Sequence, residues 1–230
     1  MSTQNSSGFD RRAAVTRSLL GWGVVAGPFY IVVGLILALT RPGFRLSEHA
    51  LSLLMLGEWG WMQRLNLILA ALMTLAAAYG ILRAIRNGRG LAMAVLVAVF
   101  GVCLILSAVF PPDPVNGFPP GEPGGVATTS GVLHLVFGAI GFLAVGVAAF
   151  AYSGWCRSIG EPRRGILGIV LGVIVIVGFF GGAALAMLPV GTLLLWIAVL
   201  SGWAWLALAS AHIYAWSPHP VIAERAPTAA

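Results

Sequence analysis

Lysine is absent from this chain, and all thirteen basic residues are Arg. Charge of any kind is scarce: 9% of residues are charged, against roughly 25% in a soluble domain. That scarcity, with 59% hydrophobic residues and a mean hydropathy of +0.96, excludes an ordinary soluble fold. The net charge is +6, but the arginines are scattered over short polar stretches between apolar runs. Without a groove-sized basic patch there is no case for nucleic acid. There are two cysteines, Cys103 inside one apolar run and Cys156 at the end of another. They form neither a disulfide framework nor a metal-ligating motif. The lack of Lys fits a GC-rich coding bias and carries no mechanism.

What is present is apolar length. A membrane-spanning helix needs about 20 apolar residues to cross a core of about 30 Å. Six stretches qualify: 18–40, 61–83, 90–110, 130–153, 164–187 and 190–215. The first is too long for the apolar core of a signal peptide, which runs about 7–15 residues. The fold class expected is therefore all-α, a polytopic bundle of six transmembrane helices. Residues 1–17 read as a disordered basic tail, 18–215 as the membrane domain and 216–230 as a second disordered tail. Pro28 should bend the first span, because it has no N–H to give and its ring crowds the preceding turn. Met187-Leu188-Pro189-Val190-Gly191 leaves so short a turn that the last two spans should form an antiparallel hairpin.

Arginine placement orients the bundle. Ten Arg fall on the side that carries both termini: 11, 12, 17, 83, 86, 89, 157, 163, 164 and 225. Three fall on the other, Arg41, Arg45 and Arg64. The positive-inside rule then puts both termini in the cytoplasm and loops one, three and five outside.

The polar residues are concentrated in loop one. Arg41 to Asn66 holds three Arg, two Glu, one His, two Ser, one Gln, one Asn and two Trp. Ser47 is placed to cap a short helix running to about Leu56, with Gly57 ending it. It cannot span a bilayer, yet Leu51, Leu53, Leu54, Met55 and Leu56 favour hydrocarbon. An interfacial or re-entrant helix is expected. Trp59 and Trp61 fit an interfacial belt.

Loop three is different. Ten of residues 111–128 are Pro or Gly, so the segment is expected to be neither helix nor strand and to lie as a lid over the outer mouth. Thr128-Thr129-Ser130 then caps the fourth span, with His134 about 6 Å below the interface at 1.5 Å per residue. Gly138, Gly141 and Ala148 follow on the same face. They predict close helix packing in the outer half of the span, where Val145 does not interrupt it.

Three motifs carry a family resemblance. Arg41-Pro42-Gly43-Phe44 with His49, Leu51-Ser52-Leu53, Gly57, Trp61, Gln63 and Asn66 is the first. Val109-Phe110-Pro111-Pro112-Asp113-Pro114 and Gly131-Val132-Leu133-His134-Leu135-Val136-Phe137-Gly138 are the others. Together they resemble bacterial domain-of-unknown-function family 998 over residues 18–215. The resemblance implies a six-span protein of the bacterial plasma membrane and supplies no reaction.

The candidate site must therefore rest on its residues. His49, Asp113 and His134 share the outer side, and a carboxylate with two imidazoles is a ligand set for Zn²⁺ or a similar ion. The same three with Ser52 are candidate catalytic groups for hydrolysis of a lipid headgroup or amide. Arg41 is a candidate headgroup anchor, and Gln63 and Asn66 are candidate ligand contacts or interhelical hydrogen bonds. No cofactor is specified. A haem is excluded because His134 and His212 fall at opposite ends of the bundle. The bilayer is the one certain partner, with a lipid headgroup as the ligand expected from the chemistry. Against these stands a non-catalytic reading, in which Asp113 caps a turn, His49 is solvated and the bundle only packs lipid or a partner protein.

Overall fold

The computed structural model describes residues 8–122 and 124–221. Six α-helices follow one another: α1 (Arg11–Thr40), α2 (Gly60–Ala84), α3 (Gly88–Val109), α4 (Thr129–Ser158), α5 (Pro162–Ala184) and α6 (Pro189–Trp216). All six are long and apolar enough to cross a membrane. Each packs against the next, and α6 closes back on α1, so the helices make a ring. Its perimeter carries exposed Val, Ile and Leu, with Leu39 77% exposed, a surface suited only to hydrocarbon.

The helix ends follow local chemistry. Asp10 caps α1, its carboxylate accepting from the N–H groups of Arg12 and Ala13 at 2.8 and 3.1 Å. Arg11 to Arg17, expected in the tail, therefore form the first turns of α1. Residues 1–7 and 222–230, the rest of the expected tails apart from 217–221, lie outside the described residues. Asn87 and Thr128 cap α3 and α4 in the same manner, accepting from Gly90 and Gly131. The connection from Leu185 to Leu188 is as short as expected for a hairpin of α5 and α6.

One expectation is corrected. Loop one holds no α-helix from Ser47. It holds a five-residue 3₁₀ turn, Leu51–Met55, preceded by Ala50, which offers no capping side chain. Leu51, Leu53, Leu54 and Met55 are all buried. A 3₁₀ turn spreads side chains in three directions, which suits a segment wedged against α1 and α2 rather than floating on an interface.

The glycines of α4 pack against two helices. Gly141, on the stripe expected to pack closely, faces α3, where an added Cβ would lie 3.0 Å from Cys103 Cβ. Gly146 and Ala149 approach α5: a Cβ on Gly172 would lie 2.8 Å from the Gly146 carbonyl, and one on Gly168 3.1 Å from that of Ala149. The three-residue link between α4 and α5 holds together their ends on the side of the termini. Away from the termini, residues of both helices line a cavity.

Candidate functional site

The cavity is about 300 Å³ and sits in the half of the ring away from the termini. Its floor is aromatic. Tyr30 of α1, Phe100 of α3, Phe142 of α4, Phe179 of α5 and Trp203 of α6 all line it. Tyr30 and Phe100 stand 5.4 and 5.5 Å from Trp203, Phe100 stands 5.8 Å from Phe142, and Phe142 stacks on Phe179 at 4.5 Å. These are ordinary aromatic pair distances, and the cluster spans the bundle from α1 to α5. Single aromatics in separate helices gave no sequence signal of this floor. The roof is made by Leu51–Leu53 of loop one and by Pro112, Asp113, Val115 and Asn116 of loop three. Leu135 lines the cavity and is 57% exposed, so the cavity opens past the N-terminal end of α4.

Of the expected site residues, Ser52, Asp113 and His134 line this cavity. His49, Arg41, Gln63 and Asn66 do not. His134 hydrogen-bonds through Nδ1 to the carbonyls of Phe110 at 2.9 Å and Ser107 at 3.1 Å. Two acceptors require a donor, so the ring proton is on Nδ1. The bond satisfies carbonyls at the end of α3 that have no intrahelical partner. Nε2 keeps its lone pair, the ring's one unengaged polar atom.

Asp113 is spent on structure. Its oxygens accept from the Thr128 N–H at 3.0 Å and the Thr128 hydroxyl at 2.5 Å. Thr128 in turn caps α4. Asp113 therefore fixes the start of the helix that carries His134.

His49 is fully buried, and both of its nitrogens are engaged. Nδ1 accepts from the Arg45 N–H at 2.8 Å, so Nε2 carries the proton and donates to the Asn116 carbonyl at 3.1 Å. Its ring lies between Phe44 and Phe118, 5.2 and 5.4 Å away. No lone pair is left for a metal. Among the described residues, no three His, Cys, Asp or Glu side chains are placed to hold an ion. No hydrogen bond among the described residues joins Ser52 to His134, so the contact between nucleophile and base is not formed.

The amides are glue. Asn66 donates to the Tyr30 carbonyl at 3.1 Å and to Gln63 Oε1 at 3.0 Å, and Gln63 donates to the Tyr30 hydroxyl at 3.4 Å. Both are buried between α1 and α2. Arg41 and Arg64 grip the end of the 3₁₀ turn, donating to the carbonyls of Leu56 and Met55 at 3.1 and 3.4 Å. Partial burial pushes the Arg41 guanidinium below its usual pKa. Arg41 Nη2 and Arg64 Nε are buried with no partner among the described residues.

Other functional contacts had no place in the sequence reading. Asn116 Nδ2 and the Thr192 hydroxyl both donate to the Glu48 carbonyl, at 3.0 and 3.2 Å. Trp196 donates to the Leu46 carbonyl at 3.1 Å. Loop one is thus tied to loop three and to α6. The missed signal was Asn116-Gly117. Their φ values of 53° and 75°, with the bridge between Val115 and Phe118, make a two-residue hairpin turn in a loop expected to be featureless.

No curated protein and no solved structure matches the chain. A family model described as "Protein of unknown function (DUF998)" matches residues 24–212, from near the middle of α1 to the last turns of α6 and through the whole cavity, and the chain belongs to that family.

Proposed function

We propose that the protein binds one small amphiphile in the outer-half cavity, its apolar part on the aromatic floor and a hydroxyl or amide N–H on Nε2 of His134. The observation that carries this reading is the coincidence of an apolar cavity with an imidazole in its lining whose Nε2 has no hydrogen-bond partner among the described residues. A volume of about 300 Å³ is at the lower end for small-molecule sites, so the ligand is a short lipid-like molecule or part of a longer one. The opening beside Leu135 gives access from the bilayer. Arg41 and Arg64 stand outside the lining and support the reading only by holding the 3₁₀ turn that roofs the cavity.

Mass spectrometry of small molecules carried through gentle purification tests this. The wild type is expected to retain one ligand per chain. Ala183→Trp, which puts an indole into the cavity, is expected to reduce retention at least tenfold. His134→Ala is expected to reduce it about tenfold, since one hydrogen bond in a dry site contributes on the order of 1.5 kcal/mol. Equal retention by Ala183→Trp and wild type would leave only the reading in which the bundle packs lipid or a partner without a site.

The orientation belongs to the same proposal: the roof of the cavity faces outward from the bacterial plasma membrane, with both termini in the cytoplasm. Cys103 and Cys156 are free and buried, which keeps background labelling low. An impermeant thiol reagent added to intact cells should modify Val126→Cys, where the native side chain is 72% exposed, and should spare Gly88→Cys. The reverse pattern inverts the topology.

A further inference from the structure

A second cluster stands at the opposite end of the bundle, where both termini lie. Between α5 and α6 is a crevice of about 350 Å³. Tyr152, Arg164, Leu167, Trp205, Leu208 and His212 are among the residues that line it. Trp205 and His212 are 2% and 6% exposed. The Tyr152 hydroxyl stands 2.7 Å from His212 Nδ1 and donates to it, which leaves the imidazole proton on Nε2. Trp205 Nε1 is buried without a hydrogen-bond partner among the described residues. His212 Nε2 faces the Glu161 carboxylate, 3.1 Å from Oε2. An orphan N–H lining a crevice is uncommon, because it forfeits its solvation without return.

We propose that this crevice holds one anionic glycerophospholipid, with its phosphate on the guanidinium of Arg164 and an ester carbonyl on the indole N–H of Trp205. The order of groups fits. Arg164 is in the first turn of α5, and Leu171, which also lines the crevice, is about 10 Å deeper at 1.5 Å per residue. A glycerophospholipid presents phosphate, then ester, then acyl chain along the same direction. The ring of Tyr152 lies between Trp205 and His212, 6.2 and 5.8 Å away. Leu167 and Leu208 line the crevice and are 46% and 51% exposed, so its mouth opens sideways to the hydrocarbon. Glu161 is the one acidic group here. It is paired to Arg164 at 2.9 Å, and residues 157–164 hold three Arg against this one Glu. The surroundings favour an anion.

The test uses the full chain in micelles containing equal phosphatidylglycerol and phosphatidylcholine, followed by native mass spectrometry. One phosphatidylglycerol per chain should survive, at least tenfold over phosphatidylcholine. Trp205→Phe keeps the ring and removes the donor, and occupancy should fall about tenfold. Arg164→Gln should erase the preference between the two lipids. Millimolar inorganic phosphate should not displace the lipid. Wild-type occupancy in Trp205→Phe, equal retention of both lipids, or displacement by phosphate alone would each overturn the proposal. Ala183→Trp, in the other cavity, should leave this lipid bound, so the two sites fail separately.

Discussion

His49→Ala is expected to unfold at a midpoint lower by roughly 10 °C in detergent, a loss of about 3–5 kcal/mol. The size follows from what the ring does. It is fully buried, and it fills the space between Phe44 and Phe118. Its removal leaves a cavity where an aromatic-sized side chain was. It also orphans the Arg45 N–H and the Asn116 carbonyl, which face each other only through the imidazole. An unsatisfied buried polar group costs about 1–3 kcal/mol. Of the side-chain hydrogen bonds between loop one and loop three among the described residues, that from Asn116 to the Glu48 carbonyl would remain. If His49 were a ligand-binding or catalytic group, the same substitution would leave the midpoint unchanged and remove the bound molecule. A drop of less than about 2 °C would refute the structural role. His134→Ala serves as the comparison, because His134 keeps a lone pair free and its loss should register first in ligand retention.

The contrast between these two histidines marks the limit of the sequence. Spans were legible because hydropathy summed over some 20 residues is insensitive to any one neighbour. The caps at Thr128 and the turn before Gly191 were legible because their partners are within a few residues. The histidine roles were not. His49 finds its acceptor in Asn116, 67 positions away, and Tyr152 reaches His212 across 60. Nothing in either local sequence specifies the pairing. His49 and His134 were named together as candidate ligands, with His134 the deeper, yet one is spent at both nitrogens and the other at one. The 3₁₀ turn was misread for a related reason. Its apolar residues suggested one buried face, but α1, α2 and the cavity roof take side chains from several directions, so no helical face was needed. Asn116-Gly117 was the exception, since that dipeptide is a readable turn signal inside an otherwise unpatterned loop.

Glycine supplies the second large effect, and its sign depends on position. Gly172→Ala is expected to destabilise the protein by about 1–3 kcal/mol, and Gly21→Ala to stabilise it by about 0.5–1 kcal/mol. Both glycines are inside helices, and both substitutions gain the same helix propensity. They differ in what the new Cβ meets. At Gly21 nothing lies within 4 Å. At Gly172 the Gly146 carbonyl oxygen is 2.8 Å away and the Ala149 Cβ 3.0 Å away. A backbone carbonyl inside a helix cannot swing aside as a side-chain tip can, so α4 and α5 must separate along the contact. That contact is reciprocal. A Cβ on Gly146 would stand 3.1 Å from the Gly172 carbonyl and 2.5 Å from Ile176, so neither helix offers slack. In hydrocarbon there is little hydrophobic gain to hold two helices together, and close packing carries the association. Thermal unfolding of both variants in the same detergent measures the difference directly. If both shift in the same direction, helix propensity outweighs packing here. If Gly172→Ala also loses the lipid expected beside Trp205, the α4–α5 contact supports that crevice as well as the fold, because Tyr152 of α4 and Gly168 of α5 both line it.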